Sequence, residues 1–470
     1  MALMPVALAL QSSKGRTGRE SAARLINCYA EPIGGDGKHP DAVYACEGLG
    51  NAVTLSLTAG GVRAMIAIET DLYAVCGRDV VRYPLAGSPS VIYTLPGDGP
   101  VYMARNRRSP DVQVGVVADG FYYVIQSGTM TAVTDADLPP PTSIDVIDGY
   151  FLLPTTEGRW FITGEDDATT ISALDFGEAQ RHPDEIMRVM SGERDVILFG
   201  ASSVEWWQNN PDGAASFPFI PAASIELGCL APRAVVKLDQ SIAWVASDGT
   251  VRMLNGYGGE RISTFPVERA IGSVTDPQSS IYAFAYHCRD SGHSFLTFTS
   301  DAWTWAYDTK TGRWHERQTY GRERWRGSYA CEFGGTWYVG DDTDGTIYTV
   351  STSHASDGDE PLVCTVQTPT VHAFPARVLV HAAFIDVVTG VGVSSDETPS
   401  LAFDISHDGG ASWSATRHLL LGRDGDRQKR VRTNRLGVIG HNGAVFRIRV
   451  SAAVTRCLMA MTLDAERIAA

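Results

Sequence analysis

The chain has no two cysteines close enough in sequence to clasp a metal. Its eight cysteines, Cys28, Cys46, Cys76, Cys229, Cys288, Cys331, Cys364 and Cys457, lie at long intervals with no Cys-x-x-Cys pair. Free thiols in a reducing cytosol are expected, rather than a disulfide or zinc framework. The eleven histidines form no His-x-x-x-His or Cys-x-x-His pattern, so neither metal nor cofactor is expected. A Gly-Lys-Ser/Thr phosphate loop and a Gly-x-Ser-x-Gly nucleophile elbow are both missing. Positive charge is short: 39 Lys/Arg stand against 54 Asp/Glu, a net charge of -15. That argues against a general nucleic-acid binder, which needs a basic footprint. It suits a surface over which DNA slides without sticking. No apolar run approaches the ~20 residues of a membrane-crossing helix. The opening MALMPVALALQSSKGR has no basic region before its apolar patch, so no secretory signal is expected. Helix signals are weak; the best, Val267–Ser273, is short.

What is abundant is turn and strand chemistry. There are 47 glycines, and Trp and Tyr together number 27. The clearest stretch is QSIAWVASDGTVRMLNGYGGERIST, Gln240–Thr264, which reads as three antiparallel strands around Ser-Asp-Gly and Gly-Tyr-Gly-Gly turns. Similar hairpins begin at Asp71, Val114, Asp148, Arg194, Gln240, His293 and Gly335, separated by 43, 34, 46, 46, 53 and 42 residues. A period in the forties built from strands alone is the mark of a β-propeller blade. Four short strands and three turns need about that length, and stacking the blades buries both apolar faces of each sheet. Six or seven blades are expected. Residues 361–470 differ: strands of roughly six to ten residues alternate apolar with polar and predict an antiparallel β-sandwich-like domain. They hold 12 Lys/Arg against 9 Asp/Glu, whereas the first 360 residues hold 27 against 45. With HASDGDEP as a polar linker, the sequence divides into an N-terminal arm with closing strands (1–60), a propeller (61–354) and a sandwich-like domain (355–470).

Chemistry-bearing patterns are few. Ser406, Asp408, Gly410 and Trp413 fit the Asp-box S-x-D-x-G-x-x-W. Physically this is a hairpin device: the carboxylate binds turn N–H groups, Gly permits positive φ, and Trp packs across the hairpin. Gly340–Gly345 is acidic but fails as a calcium loop, because an EF-hand register puts Gly340 first and Ser351 last. Glu205, Asp248 and Asp301 could meet in a propeller funnel as paired carboxylates. Arg423, Arg427, Lys429, Arg430, Arg432 and Arg435 make a basic run, interleaved with Asp424 and Asp426; Arg322, Arg324 and Arg326 surround Trp325; Arg105, Arg107 and Arg108 form a third group. Each is either a solvated face or a contact for an acidic partner. The adjacent Trp206 and Trp207 point to opposite faces of a strand, and both are expected buried between blades.

Certain residues carry a family resemblance. Phe199, Gly200, Ser203 and Glu205 in FG-x-x-S-x-E, Gly228-Cys229 followed by Ala231-Pro232, and Arg261–Thr264 before Glu268 and Ile271 resemble the tail hub, or packaged DNA stabilisation, proteins of short-tailed bacteriophages. The arm RLINCYAEP and the hairpin ISHDGGASWS are similar to that family too. The resemblance implies a propeller with a sandwich-like addition and no enzymatic activity. It also implies a homo-hexameric ring below the portal and its adaptor ring, forming the tail nozzle. The expected partners are a tail needle or plug, tail spikes or fibres, and genomic DNA that passes through the lumen without sequence-specific binding. Such a protein is located in the virion, and in the host cytoplasm during assembly. Two other readings stand beside it: a carbohydrate-active or glycan-binding, sialidase-like propeller, motivated by the Asp-box and Trp-rich strands, and a receptor-binding tail protein.

Overall fold

The computed structural model describes residues 2–35, 37–56, 60–179, 184–210, 217–390 and 398–468. Residues 57–59, at the end of the arm as the sequence divides the chain, and Val391, the last residue of the stretch ARVLVHAAFIDVVTGV that reads as a C-terminal strand from sequence, lie outside the described residues.

Seven four-stranded antiparallel blades form a propeller. Blades one to six span 62–94, 101–133, 145–178, 186–225, 235–261 and 282–316, each with its strands in sequence order. Blade seven takes three strands from 327–351 and its outermost strand from the arm: Gly48–Ser56 pairs antiparallel with Gly345–Ser351. The ring is thereby closed by residues nearly 300 positions apart.

Every hairpin expected from the sequence falls on the second and third strands of one blade. The turn chemistry is local. Asp119-Gly120, between the second and third strands of blade two, is a two-residue turn with positive φ at both positions, as are Ser127-Gly128 and Asp148-Gly149 at other turns of blades two and three; this geometry matches strand twist, and Asp-Gly and Ser-Gly readily adopt it. Gln113–Ala118 is buried along its whole length, because neighbouring blades cover both faces. The outer strand Ser90–Thr94 is mostly exposed. Seven separate apolar clusters fill the gaps between successive blades, and an eighth fills the sandwich. Trp206 and Trp207, 1% and 6% exposed, enter two different gaps, toward blade five and blade three. The expected helix is present as Phe265–Gly272, entered through Pro266 and burying Val267 and Ile271.

The sandwich is not made by the C-terminal residues alone. One of its sheets runs Cys28–Pro32, Asp41–Ala45, Cys457–Ile468, Arg377–Val387, Val431–Ile439, with Ala2–Val6 also on Cys457–Ile468. The other runs Arg24–Ile26, Cys364–Gln367, Val445–Val450, Ser400–Ser406, Arg417–Leu420. This second sheet continues into blade six, because Ile26 pairs with Glu316 at the blade's edge. The arm therefore braces both halves of the molecule.

Candidate functional site

Where propeller, arm and sandwich meet, the polar groups are buried and paired. Asn27 takes a left-handed conformation, φ 54°, which Asn tolerates better than most residues. Its amide nitrogen donates to the carbonyls of Gln318 at 2.7 Å and Val363 at 3.1 Å, and its oxygen accepts from Gln318 N–H at 2.9 Å. Beside it, Arg24 forms a two-pronged ion pair with Glu316, at 2.9 and 2.5 Å. Deeper in, Arg317 is 1% exposed. It donates to the Glu47 carbonyl at 3.0 Å, sits 3.6 Å from the Glu47 carboxylate, and stacks 4.1 Å over the Trp325 ring. Asp357 accepts from Thr319 Oγ1 at 2.5 Å and Trp325 Nε1 at 2.9 Å. Burial still pushes its pKa upward, against the pull of those bonds and of Arg317.

The basic cluster around Trp325 belongs to this joint, and each of its arginines has a carboxylate partner within the chain. Arg326 bonds Asp341 and Asp359, both at 2.6 Å; Arg324 pairs with Asp342 at 2.6 Å, and Arg322 with Asp342 at 2.9 Å. Trp325 is fully buried. The acidic Gly340–Gly345 turn is thus spent on these arginines and on Thr343 N–H, which donates to Asp341 at 2.8 Å.

The Asp-box residues form one turn of the sandwich. Ser406 Oγ donates to Asp408 Oδ1 at 2.7 Å and accepts from Gly410 N–H at 2.8 Å. Asp408 also accepts from Ser412 N–H at 2.9 Å and Ser412 Oγ at 2.5 Å. These donors, Ser412 foremost, hold its carboxyl well below the usual range. Gly410 has φ +90°. Trp413 lies over Arg447, 3.9 Å from guanidinium carbon to ring centre. Arg447 in turn bonds the buried Asp404, as does Arg449, each at 2.9 Å. The arm covers this turn so closely that a side chain on Gly18 would fall 1.8 Å from the Gly409 carbonyl. The arrangement is a braced hairpin.

Arg423, Arg427, Lys429, Arg430 and Arg432 are all exposed. They lie in the loop before Val431–Ile439 and on that strand, which ends its sheet. Among the described residues none of the five forms an ion pair. Cations on an edge strand discourage pairing with another sheet and leave charge for an acidic partner. Asp424 and Asp426 share the loop, and Asp426 accepts from the Arg423 N–H at 3.2 Å.

The three candidate carboxylates do not come together. Glu205 is 3% exposed and borders a recess with Phe176, Trp207 and Phe217; Asp248 is tied to Thr250 and Arg252; Asp301 faces solvent near Arg324. They sit in blades four, five and six, and none lines the axial cavity. The funnel expectation is corrected by blade geometry, because each blade carries its carboxylate to a different gap or turn.

The family model "Bacteriophage P22 Gp10, beta-propeller" matches residues 44–355, and "Bacteriophage P22 Gp10, beta-sandwich" matches residues 364–466. The chain belongs to the P22 Gp10 family. That family is the packaged DNA stabilisation protein, so the chain is a phage structural tail protein with a virion location. The first match begins at residue 44 and so takes in the arm strand that closes blade seven. No curated protein matches the chain. Among solved structures, the WD40 β-propeller domain of Doa1 is similar at 12% identity and TM-score 0.44, covering 65% of this chain and 97% of that one. Virginiamycin B lyase from Staphylococcus aureus is similar at 13% identity and TM-score 0.45, covering 64% and 98%.

Proposed function

We propose that this Gp10-family chain is the tail hub or nozzle. A homo-hexameric ring of it extends the portal–adaptor DNA channel, retains the packaged genome and lets DNA leave at infection. The observation that carries this reading is the match of both domains to one tail-protein family, across nearly the whole chain. The axial cavity of the propeller has a volume of about 480 Å³, the size of a small-molecule site. In this reading the lumen lies between protomers, with propellers around it. An excess of acidic residues on the propeller would keep DNA from adhering to such a lumen. The exposed cations at 423–432 are offered as contacts for an acidic face of a neighbouring ring or appendage. Electron microscopy of the virion and of the purified chain tests the proposal. Six copies around a hole wide enough for duplex DNA are expected at the tail; one copy per particle, or a three-fold assembly, would overturn it.

A further inference from the structure

The propeller's axial cavity carries unbalanced positive charge at one mouth. The innermost strand of each blade comes first in that blade, so these strands run the same way around the axis. Near their beginnings stand Tyr102, Arg188, Arg233, Tyr282 and Tyr329. Arg188 lies over Tyr102, 4.0 Å from guanidinium carbon to ring centre. Arg233 lies over Tyr282 at 5.0 Å, and Tyr329 stacks on the same ring at 5.8 Å. The two arginines face one space: both act on the Tyr102 phenol, which burial pushes up to about 12 while they pull it down.

Their N–H groups are not used up. Nε and Nη1 of Arg188 and Nε of Arg233 are shut off from solvent and bonded to nothing. Arg233 spends Nη1 on the Ser279 carbonyl at 3.0 Å and makes a further side-chain hydrogen bond to Tyr329, both neutral partners. No ion pair involves either arginine among the described residues. The carboxylates of the lining are engaged elsewhere: Asp239 lies 3.3 Å from His287, and Glu332 pairs with Arg289. The other lining amine, Lys237, donates to the Ser191 carbonyl at 2.8 Å. Two guanidinium groups that line one cavity, held on aromatic faces with no carboxylate partner among the described residues, gain from an acceptor with negative charge that joins them there. Guanidinium forks match the geometry of phosphate and carboxylate oxygens.

We propose that this mouth of the axial cavity binds a small oxyanion of the phosphate class, held by Arg188 and Arg233. The cavity, about 480 Å³, falls within the range of small-molecule sites. A small free anion fits that volume. The site is separate from the proposed ring lumen and does not depend on that proposal.

Titration calorimetry of the full-length chain with inorganic phosphate, against chloride at equal ionic strength, tests the inference. Saturable binding is expected for the unaltered chain, with affinity reduced at least tenfold in Arg188→Gln and in Arg233→Gln. Each variant should unfold no lower than the parent in phosphate-free buffer, because a repelling charge has been removed. A second readout on the parent alone is broadening of the phosphorus-31 resonance, reversed by dilution. Absence of saturable binding to the parent overturns the proposal. So does equal thermal stabilisation of parent and both variants by phosphate, which marks a general salt effect. Binding of a short single-stranded oligonucleotide with none of inorganic phosphate would also overturn it, in favour of nucleic acid.

Discussion

Asn27 joins three chain segments through one short side chain, and its left-handed backbone makes that geometry available. Asn27→Ala removes the amide's bonds and keeps the φ that Ala disfavours. We expect a loss of about 3 kcal/mol, read by urea unfolding; a loss under ~0.5 kcal/mol, typical of a neutral surface site, would refute the role. His315 sets a pH dependence. Its ring is packed against Tyr29 and Phe295, and burial, with Arg317 beside it, lowers its pKa from 6.5 to about 3. Between those values the unfolded chain takes up a proton that the folded chain refuses. The stability is therefore complete above pH 6.5 and declines as pH falls toward 3. At pH 5 the loss from this group is about 2 kcal/mol. His315→Phe should flatten that slope in denaturant titrations between pH 5 and 7.5; parallel slopes in parent and variant would contradict the assignment. His293, whose pKa burial lowers but Asp308 raises further for a net rise, acts in the opposite direction and is unchanged in both proteins. At this scale the sequence was legible where the rule is local. Adjacent tryptophans on a strand must face opposite ways, and Trp206 and Trp207 do. The arginines beside Trp325 were not legible, because their carboxylate partners Asp341, Asp342 and Asp359 come from elsewhere in the chain.

At the scale of elements, the closing strand Gly48–Ser56 carries the most consequence. Leu49 is fully buried in the cluster between blades six and seven, with Tyr29, Tyr286 and Trp325. Leu49→Ala should cost about 3 kcal/mol and hasten proteolysis within blade seven, the blade it closes. Digestion at unchanged sites and rates would mean the ring stays closed without it. The Asp-box turn is a more local matter. Asp408→Ala should raise hydrogen exchange at the Ser412 amide and leave the propeller's protection unchanged, since the carboxylate's bonds stay within one turn. A protection loss that spread to the blades would assign the turn a wider role. The hairpins were readable because a turn and its two strands are contiguous. The arm was not readable as sandwich, because Ala2–Val6 pairs with residues 461–465 and Arg24–Ile26 with residues 365–367. Nothing in a short irregular stretch names a partner so distant.

For the whole molecule, the arm threads both halves and one sheet runs from blade six into the sandwich. The propeller and sandwich should therefore unfold in a single calorimetric transition; two well-separated transitions would show that the joint does not couple them. The sequence by itself determined the strand-built propeller, its approximate blade number, the sandwich texture and the family, because these follow from turn chemistry, apolar alternation and spacing along contiguous residues. Tertiary structure decided that the count is seven, that an N-terminal strand closes the ring, that three arginines around Trp325 pair with carboxylates of the same chain, and that Arg188 and Arg233 share a cavity. Each of these depends on which distant residues meet. Such meetings are fixed by ring closure and by the pairing of buried charge, which no local pattern records.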